Sequence, residues 1–252
     1  MAICYNPFSL EGKTILVTGA SSGIGAATSV ECSRMGANVI LMGRNKERLE
    51  ETSSKMDRTV GQTHRLLQLD LLDEQSTIDC IKSMDSIDGL VNNVGVNKVK
   101  PVAYIKKEDL EFVFNTNLFS CINLTSMLLK KKKINRNGSI VFTSSVSAFY
   151  NAPGRALYAS SKAALTSFMR SVAVEHASRQ IRANAVHPGM VETQMIRETL
   201  SEEERMKDMA VYPLQRYGKP EEVAWAIIYL LSDASQWMTG SSLTIDGGFM
   251  LK

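Results

Sequence analysis

Short apolar segments alternate along the chain with longer segments of helical periodicity. The apolar segments are continuous rather than alternating, as is typical of strands covered on both faces, and lie at residues 14–18, 38–42, 65–70, 89–92, 139–143, 182–187 and 242–245. Helical spacing of apolar residues occurs at residues 25–35, 46–56, 73–84, 107–133, 158–178 and 220–232. This alternation predicts an α/β fold: a single Rossmann-type, doubly wound parallel sheet of about seven strands with helices on both faces.

Composition is that of an ordinary globular protein. The 252 residues are 44% hydrophobic and 22% charged, with a formal net charge of +3. No shift in composition suggests a linker, so we expect one domain over residues 1–252. The small net charge gives no reason to expect nucleic acid or an anionic membrane as a partner.

The cysteines, the apolar runs and the histidines bear on the cellular compartment, on membrane insertion and on metal binding. The four cysteines are widely spaced and form no C-x-x-C pair, which favours a reduced cytoplasmic protein. The N-terminus has no basic segment followed by an apolar core, and the longest strongly apolar run, residues 223–231, is half as long as a membrane span requires. The three histidines match no metal-ligand spacing. We therefore expect no signal peptide, no membrane span and no catalytic metal.

One segment departs from the alternation. About 30 residues between 187 and 220 are rich in methionine and charge, and Ser201 with Glu204 has the spacing of a capping box, which predicts a short helix. Ligands of open α/β sheets bind beyond the carboxyl ends of the strands, where this segment begins. We expect a substrate lid at about residues 190–215; a surface excursion without a role is the alternative.

A glycine-rich turn follows the first predicted strand and precedes the first predicted helix. Glycines allow the backbone to turn sharply and to approach a pyrophosphate, while a helix N-terminus offers unpaired N–H donors to the anion. The context predicts a dinucleotide site, with a glycine turn that binds nothing as the alternative. The predicted cofactor residues of this turn are Gly19, Ser21, Ser22, Gly23, Ile24 and Gly25.

Arg44 follows the second strand, and no carboxylate occurs between residues 39 and 46. A carboxylate here would bind the ribose hydroxyls of NAD, whereas a guanidinium can bind a 2′-phosphate in a bidentate manner. We therefore expect NADPH/NADP rather than NAD; stacking on adenine or a solvent-facing Arg44 is the alternative. Asp70, at the end of the third strand, and residues of the turns that follow the third and fourth strands are expected beside adenine and ribose, although turn chemistry alone also explains them: Leu71, Asn93, Val94 and Gly95.

A second group of side chains suits proton transfer. Tyr158 and Lys162 are four residues apart, hence on one face of a predicted helix, and Ser145 follows the fifth strand. Carbonyl reduction needs a proton donor beside the oxygen, and a phenol with a pKa of about 10 is a poor one unless a cation stabilises its phenolate. Lys162 supplies that cation, and Ser145 can hydrogen-bond the substrate oxygen. Taken alone, Y-x-x-x-K is common on surface helices.

Taken together and in order, these motifs resemble the short-chain dehydrogenase/reductase family over nearly the whole chain. Ser145 and Tyr158 are 13 residues apart, the usual spacing in the family, and Val94 stands where alanine is usual. The matching positions are the glycine turn, Asp70, the N-N-x-G turn, Asn117, Ser145, Tyr158, Lys162, His187-Pro-Gly189, Thr193 and Asp246-Gly-Gly248.

The resemblance implies an NADPH-dependent dinucleotide-binding and catalytic domain that reduces a ketone to a secondary alcohol, or the reverse. Tyr158 is the implied general acid–base, Lys162 holds the nicotinamide ribose and lowers the tyrosine pKa, and Ser145 orients the carbonyl. The backbone of Asn117 is implied to anchor a water that passes protons to Lys162. The residues implied to hold the carboxamide and phosphates are Pro188, Gly189, Val191 and Thr193.

Within the family, the chain most resembles 3-oxoacyl-[acyl-carrier-protein] reductases. That likeness implies an acyl thioester substrate and acyl carrier protein as a partner, because Arg136 and Arg179 match positions used to dock it, beside the basic run 130–133. A solvated helix C-terminus explains the basic run equally well. The implied substrate residues, which are equally compatible with plain core, are Val146, Tyr150, Met190 and Met195.

Alternatives remain open at this point. One is an alcohol, sugar or hydroxysteroid dehydrogenase, and another is a catalytically silent dinucleotide-binding regulator, which has no need of an intact serine, tyrosine and lysine. The family commonly forms homotetramers through the helices predicted at residues 107–133 and 158–178. Their apolar periodicity fits an internal core equally well.

Overall fold

The apolar segments pair as parallel strands in a computed structural model that describes residues 5–193 and 201–251. Within those residues the sheet has seven strands, in the order β3-β2-β1-β4-β5-β6-β7. The order reverses between β1 and β4, the point at which open α/β sheets bind ligands. The strands are β1 (Thr14–Thr18), β2 (Asn38–Gly43), β3 (His64–Gln68), β4 (Ile87–Asn92), β5 (Ile134–Thr143), β6 (Arg182–Pro188) and β7 (Ser242–Ile245).

Helices cover both faces of the sheet, and a separate apolar core lies under each layer. Leu124, Phe142 and Met169 belong to one core, and Val17, Leu41 and Ile227 belong to the other. The predicted doubly wound fold is therefore confirmed. The helices are α1 (Gly23–Arg34), α2 (Lys46–Ser54), α3 (Glu74–Ser83), α4 (Lys107–Phe114), α5 (Ser120–Lys130), α6 (Ala156–Glu175), α7 (Glu202–Met209) and α8 (Pro220–Leu231).

Several elements differ in their bounds or continuity from the sequence-based prediction, and three of these differences concern the site or its neighbourhood. The third strand ends at Gln68, so Asp70 lies in the turn after β3 rather than at the end of the strand. The fifth strand begins at Ile134 rather than at 139; the polar run Asn135–Asn137 carries no strand pattern in the sequence. The long helix expected at 107–133 is interrupted by a π-helical turn, Asn115–Phe119.

The helical segment Lys107–Lys130 is rich in apolar residues after its charged first turn. Among the described residues it is one helix that is long and apolar enough to cross a membrane, with 24 residues and a mean hydropathy of 1.3 in its most apolar part. Half of that part is buried inside the protein, where Leu124 and Leu128 are inaccessible to solvent. A core helix of a globular protein has the same length and composition, so the hydropathy here reflects packing on the sheet.

The segment after β6 contains the short helix that the capping box predicts. The Ser201 hydroxyl accepts a hydrogen bond from the Glu204 N–H at 3.2 Å, and the Glu204 carboxylate accepts from the Ser201 N–H at 2.8 Å. Tyr217 donates to the carboxylate of Asp208 in α7 at 2.7 Å. These contacts hold α7 against the segment that leads into α8.

Candidate active site

A cleft of about 620 Å³ opens at the carboxyl ends of the strands. Turns after β1 to β6 contribute to it, as expected for a parallel sheet at its point of reversal. Gly25 and Asn117, both predicted, do not line the cleft but lie directly behind residues that do. The predicted residues that line it are Gly19, Ser21, Ser22, Gly23, Ile24, Arg44, Asp70, Leu71, Asn93, Val94, Gly95, Ser145, Tyr158, Lys162, Pro188, Gly189, Val191 and Thr193.

The glycine turn has no room for side chains at its tightest point. A Cβ atom on Gly25 would lie 2.2 Å from the Gly19 carbonyl oxygen and 2.6 Å from Nδ2 of Asn93. Gly19 and Gly23 have φ values of 64° and 53°, which favour glycine. Ser22 caps α1 without a side-chain hydrogen bond, and the first turn holds no acidic residue. The N–H groups of this terminus are thus available to an anion.

Arg44 and Asp70 lie side by side at the end of the cleft formed by the turns after β2 and β3. Nη1 of Arg44 is 3.9 Å from Oδ2 of Asp70, and the two side chains are 73% and 46% exposed. This loose, exposed ion pair leaves most of the guanidinium donors available. Arg48, which sequence reasoning missed, lines the same end of the cleft from the first turn of α2. Its spacing of four residues from Arg44 is the signal that could have identified it.

Lys162 is buried beside the phenol of Tyr158. Its Nζ donates to the Thr143 carbonyl oxygen at 2.7 Å and lies 5.7 Å from the centroid of the Tyr158 ring. A Cβ on Gly95 would be 3.2 Å from this Nζ, so glycine leaves space in front of the ammonium. Burial lowers the pKa of Lys162 to about 8.

The pKa of the Tyr158 phenol differs from the sequence-based expectation. Burial raises this pKa, and hydrogen bonding to the Ser145 side chain and the charge of Arg155 only oppose this rise. In the protein alone, desolvation of the phenolate therefore outweighs the cationic effect that the Y-x-x-x-K spacing suggested.

Asn117 is fully buried within the π-helical turn. Its Oδ1 accepts from the Val96 N–H at 2.7 Å, and its Nδ2 donates to the Val96 carbonyl at 2.9 Å and to the Ser161 hydroxyl at 3.0 Å. The side chain thus joins the turn after β4 to α6. π-Turns inside helices are frequent at functional sites because they displace backbone carbonyls from the regular ladder.

His187 positions Ser145, a role that sequence reasoning missed. Its Nδ1 lies 2.9 Å from the Ser145 carbonyl oxygen, so Nδ1 donates, and Nε2 lies 3.1 Å from the Ser242 hydroxyl. The ring also packs on Phe149 with centroids 4.6 Å apart. Burial lowers the pKa of His187, which keeps the ring neutral. The fixed position of this histidine before Pro-Gly was the available signal.

Val146, Tyr150 and Met190, which the sequence predicted at the substrate, do not line the cleft in the structure. Val146 is buried, whereas Tyr150 is 48% exposed and meets Phe249 edge-on at 5.2 Å. Phe249 also packs on Tyr212 at 5.1 Å. The Tyr212 hydroxyl accepts from the Met190 N–H at 3.2 Å, whereas Met195 lies outside the described residues. Phe249 and Tyr212 were not predicted, because 37 residues separate them in the sequence.

Some of the basic side chains predicted to dock a carrier protein make hydrogen bonds within the protein. Nη2 of Arg179 donates to the Ile134 carbonyl at 2.6 Å, and Lys133 donates to the Met84 carbonyl. Arg136 and residues 130–132 are exposed. Arg179 and Lys133 thus bond within the fold, whereas Arg136 and residues 130–132 face solvent.

Metal-binding groups are not assembled in the described part of the chain. Residues 5–193 and 201–251 contain no group of three or more histidine, cysteine, aspartate or glutamate side chains that could hold an ion. Cys32, Cys80 and Cys121 are free thiols.

Comparisons with known proteins agree with this architecture. Residues 19–250 match the family model described as enoyl-(acyl carrier protein) reductase. The chain is 39% identical to 3-oxoacyl-[acyl-carrier-protein] reductase FabG of Thermotoga maritima, with 96% of this chain and 99% of that protein covered. It is 34% identical to glucose 1-dehydrogenase of Gluconobacter oxydans, with 95% and 92% covered.

A solved structure shares the fold over the whole chain. It is a candidate 2-deoxy-D-gluconate 3-dehydrogenase from Agrobacterium tumefaciens with bound NADP, with a TM-score of 0.87, 28% identity, and 98% and 100% of the two chains covered. The sequence-based resemblance is therefore confirmed: the chain belongs to the short-chain dehydrogenase/reductase family and is an oxidoreductase.

Proposed function

We propose that this chain reduces a ketone to a secondary alcohol with NADPH, and that residues 1–252 act as one dinucleotide-binding and catalytic domain. The observation that carries the proposal is that Ser145, Tyr158 and Lys162 line the same cleft as the glycine turn. An intact set of this kind has a role in proton transfer, which a silent regulator does not need.

The residues of the cleft fit a dinucleotide. The turn at Gly19 and Gly25 is too tight for any side chain, and the uncapped N-terminus of α1 offers N–H groups to a pyrophosphate. Arg44 and Arg48 would bind a 2′-phosphate, which supports NADP over NAD. Gly95 leaves room for a ribose in front of Lys162. When bound, NADPH supplies the hydride that reduces the carbonyl carbon.

The side chains supply the proton and hold the carbonyl. We assign Tyr158 as the proton donor to the carbonyl oxygen and Ser145 as the second hydrogen-bond partner of that oxygen. Lys162, fixed by the Thr143 carbonyl, places a cation beside the phenol and offers its remaining donors to the ribose. The π-turn at Asn117 lies one layer behind, where it can hold a water that returns protons to Lys162.

A 3-oxoacyl thioester is the substrate class that the relatives favour. The Thermotoga maritima relative is a 3-oxoacyl-[acyl-carrier-protein] reductase, and Arg136 with residues 130–132 offers an exposed basic surface to an acidic carrier protein. Val146, Tyr150, Met190 and Met195 are proposed to contact the acyl group. Residues 190–215 are proposed to close over it, with α7 held by the bond between Tyr217 and Asp208.

We place this activity in the cytoplasm, in a homotetramer. Free cysteines suit a reducing compartment. Phe112, Phe119 and Val174 are exposed on the helices through which the family assembles, and burial against another copy would remove that apolar surface from water. Light scattering of the purified protein tests the assembly.

A second candidate is oxidation or reduction of a sugar-type or hydroxy compound, with the same residues in the same roles. It is favoured by the likeness to glucose 1-dehydrogenase of Gluconobacter oxydans, which is 34% identical to this chain.

The test is consumption of NADPH with acetoacetyl thioester beside a panel of ketoacids, sugars and steroid ketones. Turnover that Tyr158→Phe reduces by about a hundredfold or more, with NADPH binding retained, supports the assignment. Turnover of that variant within a few-fold of the wild type, or no turnover of any ketone by the wild type, contradicts it.

A further inference from the structure

Asn97 lines the cleft from the loop that follows β4. Its side chain is exposed, and within residues 5–193 and 201–251 it forms no hydrogen bond. The residues proposed to bind the cofactor and the side chains proposed to transfer the proton do not include it. An amide carries two N–H donors and a carbonyl acceptor, so this side chain is available to a ligand in the cleft.

The loop after β4 passes the glycine turn and then Lys162 before it reaches Asn97. Asn93 lies beside the turn, because a Cβ on Gly25 would be 2.6 Å from its Nδ2. Two residues later, a Cβ on Gly95 would be 3.2 Å from Nζ of Lys162. The proposed dinucleotide follows the same path, with its pyrophosphate on the turn and a ribose in front of Lys162. Asn97 therefore comes after the part of the loop that would contact the cofactor, where the substrate would lie.

Hydrogen bonds join the loop to α6, the helix that carries Tyr158, immediately before Asn97. The Asn117 side chain accepts from the Val96 N–H at 2.7 Å and donates to the Val96 carbonyl at 2.9 Å. It also donates to the Ser161 hydroxyl at 3.0 Å, and that hydroxyl donates to the Tyr158 carbonyl at 2.8 Å. The backbone that leads into Asn97 is thus fixed relative to the start of α6.

The loop is also held on the other side of Asn97. Lys98 and Lys100 both pair with the buried carboxylate of Asp109, with the Lys98 Nζ at 2.6 Å. The Lys100 N–H donates to the carbonyl of Gly154, in the turn before α6, at 2.8 Å. Because both flanks of Asn97 are fixed, its amide has a defined place on the wall of the cleft and loses little freedom when it binds a ligand.

We infer that the Asn97 amide donates a hydrogen bond to the thioester carbonyl of a 3-oxoacyl substrate, and so selects ketones that carry a second carbonyl group two bonds from the reacting one. The inference rests on the proposed function and assigns a residue to recognition of its substrate. Ser145 and Tyr158 would hold the ketone oxygen, which leaves the thioester oxygen in need of a donor. A ketone without that second oxygen would gain nothing from Asn97.

The experiment compares the acetoacetyl thioester of N-acetylcysteamine with the 3-oxobutyl thioether of the same thiol. A methylene replaces the thioester carbonyl in the thioether, and the ketone and the thiol are kept. Asn97→Leu retains the size of the side chain but removes its donor. We expect kcat/KM for reduction by NADPH to fall about three- to thirtyfold for the thioester and to change less than about twofold for the thioether.

Asn123→Leu is the matched control, because Asn123 is an exposed asparagine of α5 that does not line the cleft. It should leave kcat/KM for both compounds within about twofold of the wild type. Equal losses for both compounds in Asn97→Leu, or no loss for either, overturn the inference and leave the reduction of ketones in place.

Calorimetric titration of each compound into the protein loaded with NADP, which cannot reduce it, separates this inference from the proposed function. If the wild type reduces neither compound, the proposed function fails. Weaker binding of the thioester alone in Asn97→Leu would then still support the amide contact. Binding that is unchanged, or weakened equally for the two compounds, would overturn it.

Discussion

Nζ of Lys162 donates to the carbonyl oxygen of Thr143, the last residue of β5, at 2.7 Å. The end of β5 thereby fixes the ammonium close to the Tyr158 ring. The Thr143 carbonyl gives this buried cation a strong hydrogen-bond acceptor. Because its pKa is lowered only to about 8, Lys162 is mostly protonated at neutral pH. The geometry links the sheet directly to the proposed proton donor.

Replacing Lys162 tests that link. Lys162→Met keeps much of the side-chain volume but removes the charge and the bond to Thr143. We expect kcat to fall by about a hundredfold or more, because the phenol loses its cation, while the melting temperature changes little, since an uncompensated buried charge also disappears. Steady-state kinetics and thermal melts measure the two effects. Turnover within a few-fold of the wild type would remove Lys162 from the mechanism.

The cofactor preference depends on two arginines at one end of the cleft. Arg44→Ala should weaken NADPH by about ten- to a hundredfold and NADH far less, because only NADPH carries the 2′-phosphate. Arg48→Ala should act in the same direction, and the double variant should approach equal use of the two cofactors. Lys46→Ala, which removes an exposed cation of the same helix, is the control. Equal losses for NADPH and NADH in Arg44→Ala would contradict a phosphate-binding role.

The sequence predicted the parts of this site that depend on local pattern. The seven apolar segments define the sheet, and the turns after its strands bring Gly19, Ser145 and Tyr158 to one edge, since the carboxyl ends of parallel strands meet there. The raised pKa of Tyr158 could not be predicted from the local sequence pattern, because it depends on burial by residues distant in the chain.

Contacts between distant segments explain the other omissions. Phe249, which follows β7, meets Tyr212 from the segment before α8, a contact between segments distant in the sequence. His187 supports Ser145 through the Ser145 carbonyl, a contact between neighbouring strands that no local spacing encodes. The π-turn at Asn117 leaves the apolar periodicity of the long helix nearly intact, so the pattern predicted one continuous helix.

Buried histidines predict a loss of stability in mild acid. Burial lowers the pKa of His187 and of His64 in the folded protein below the ordinary value of about 6.5. Below pH 6.5 or so the unfolded chain therefore binds more protons than the folded one, and the free energy of unfolding falls by up to about 1.4 kcal/mol per pH unit for each histidine. Above that pH both states are neutral at these positions and the effect vanishes.

Denaturant melts between about pH 5 and pH 8 measure this slope, in a window above the titration of ordinary carboxylates. His187→Gln should be less stable at pH 8, because it loses the ring packed on Phe149, but should show a shallower decline toward pH 5. His176→Gln, at the partly exposed end of α6, is the matched control. An unchanged slope in His187→Gln would show that this histidine is not the neutral, buried group described here.

The tightest contact of the glycine turn gives the sharpest test of the dinucleotide site. In Gly25→Ala the new methyl group would lie 2.2 Å from the Gly19 carbonyl oxygen, so the turn or the start of α1 must move. Such overpacking costs about 1–3 kcal/mol of stability, and the displaced N–H groups should weaken both NADPH and NADH, unlike Arg44→Ala. Gly218→Ala is the control, because its Cβ would approach no atom closer than 3.7 Å. Fluorescence titration with the two cofactors, on protein shown to be folded by circular dichroism, measures the effect. If Gly25→Ala binds both as tightly as the wild type does, the pyrophosphate does not lie on this turn.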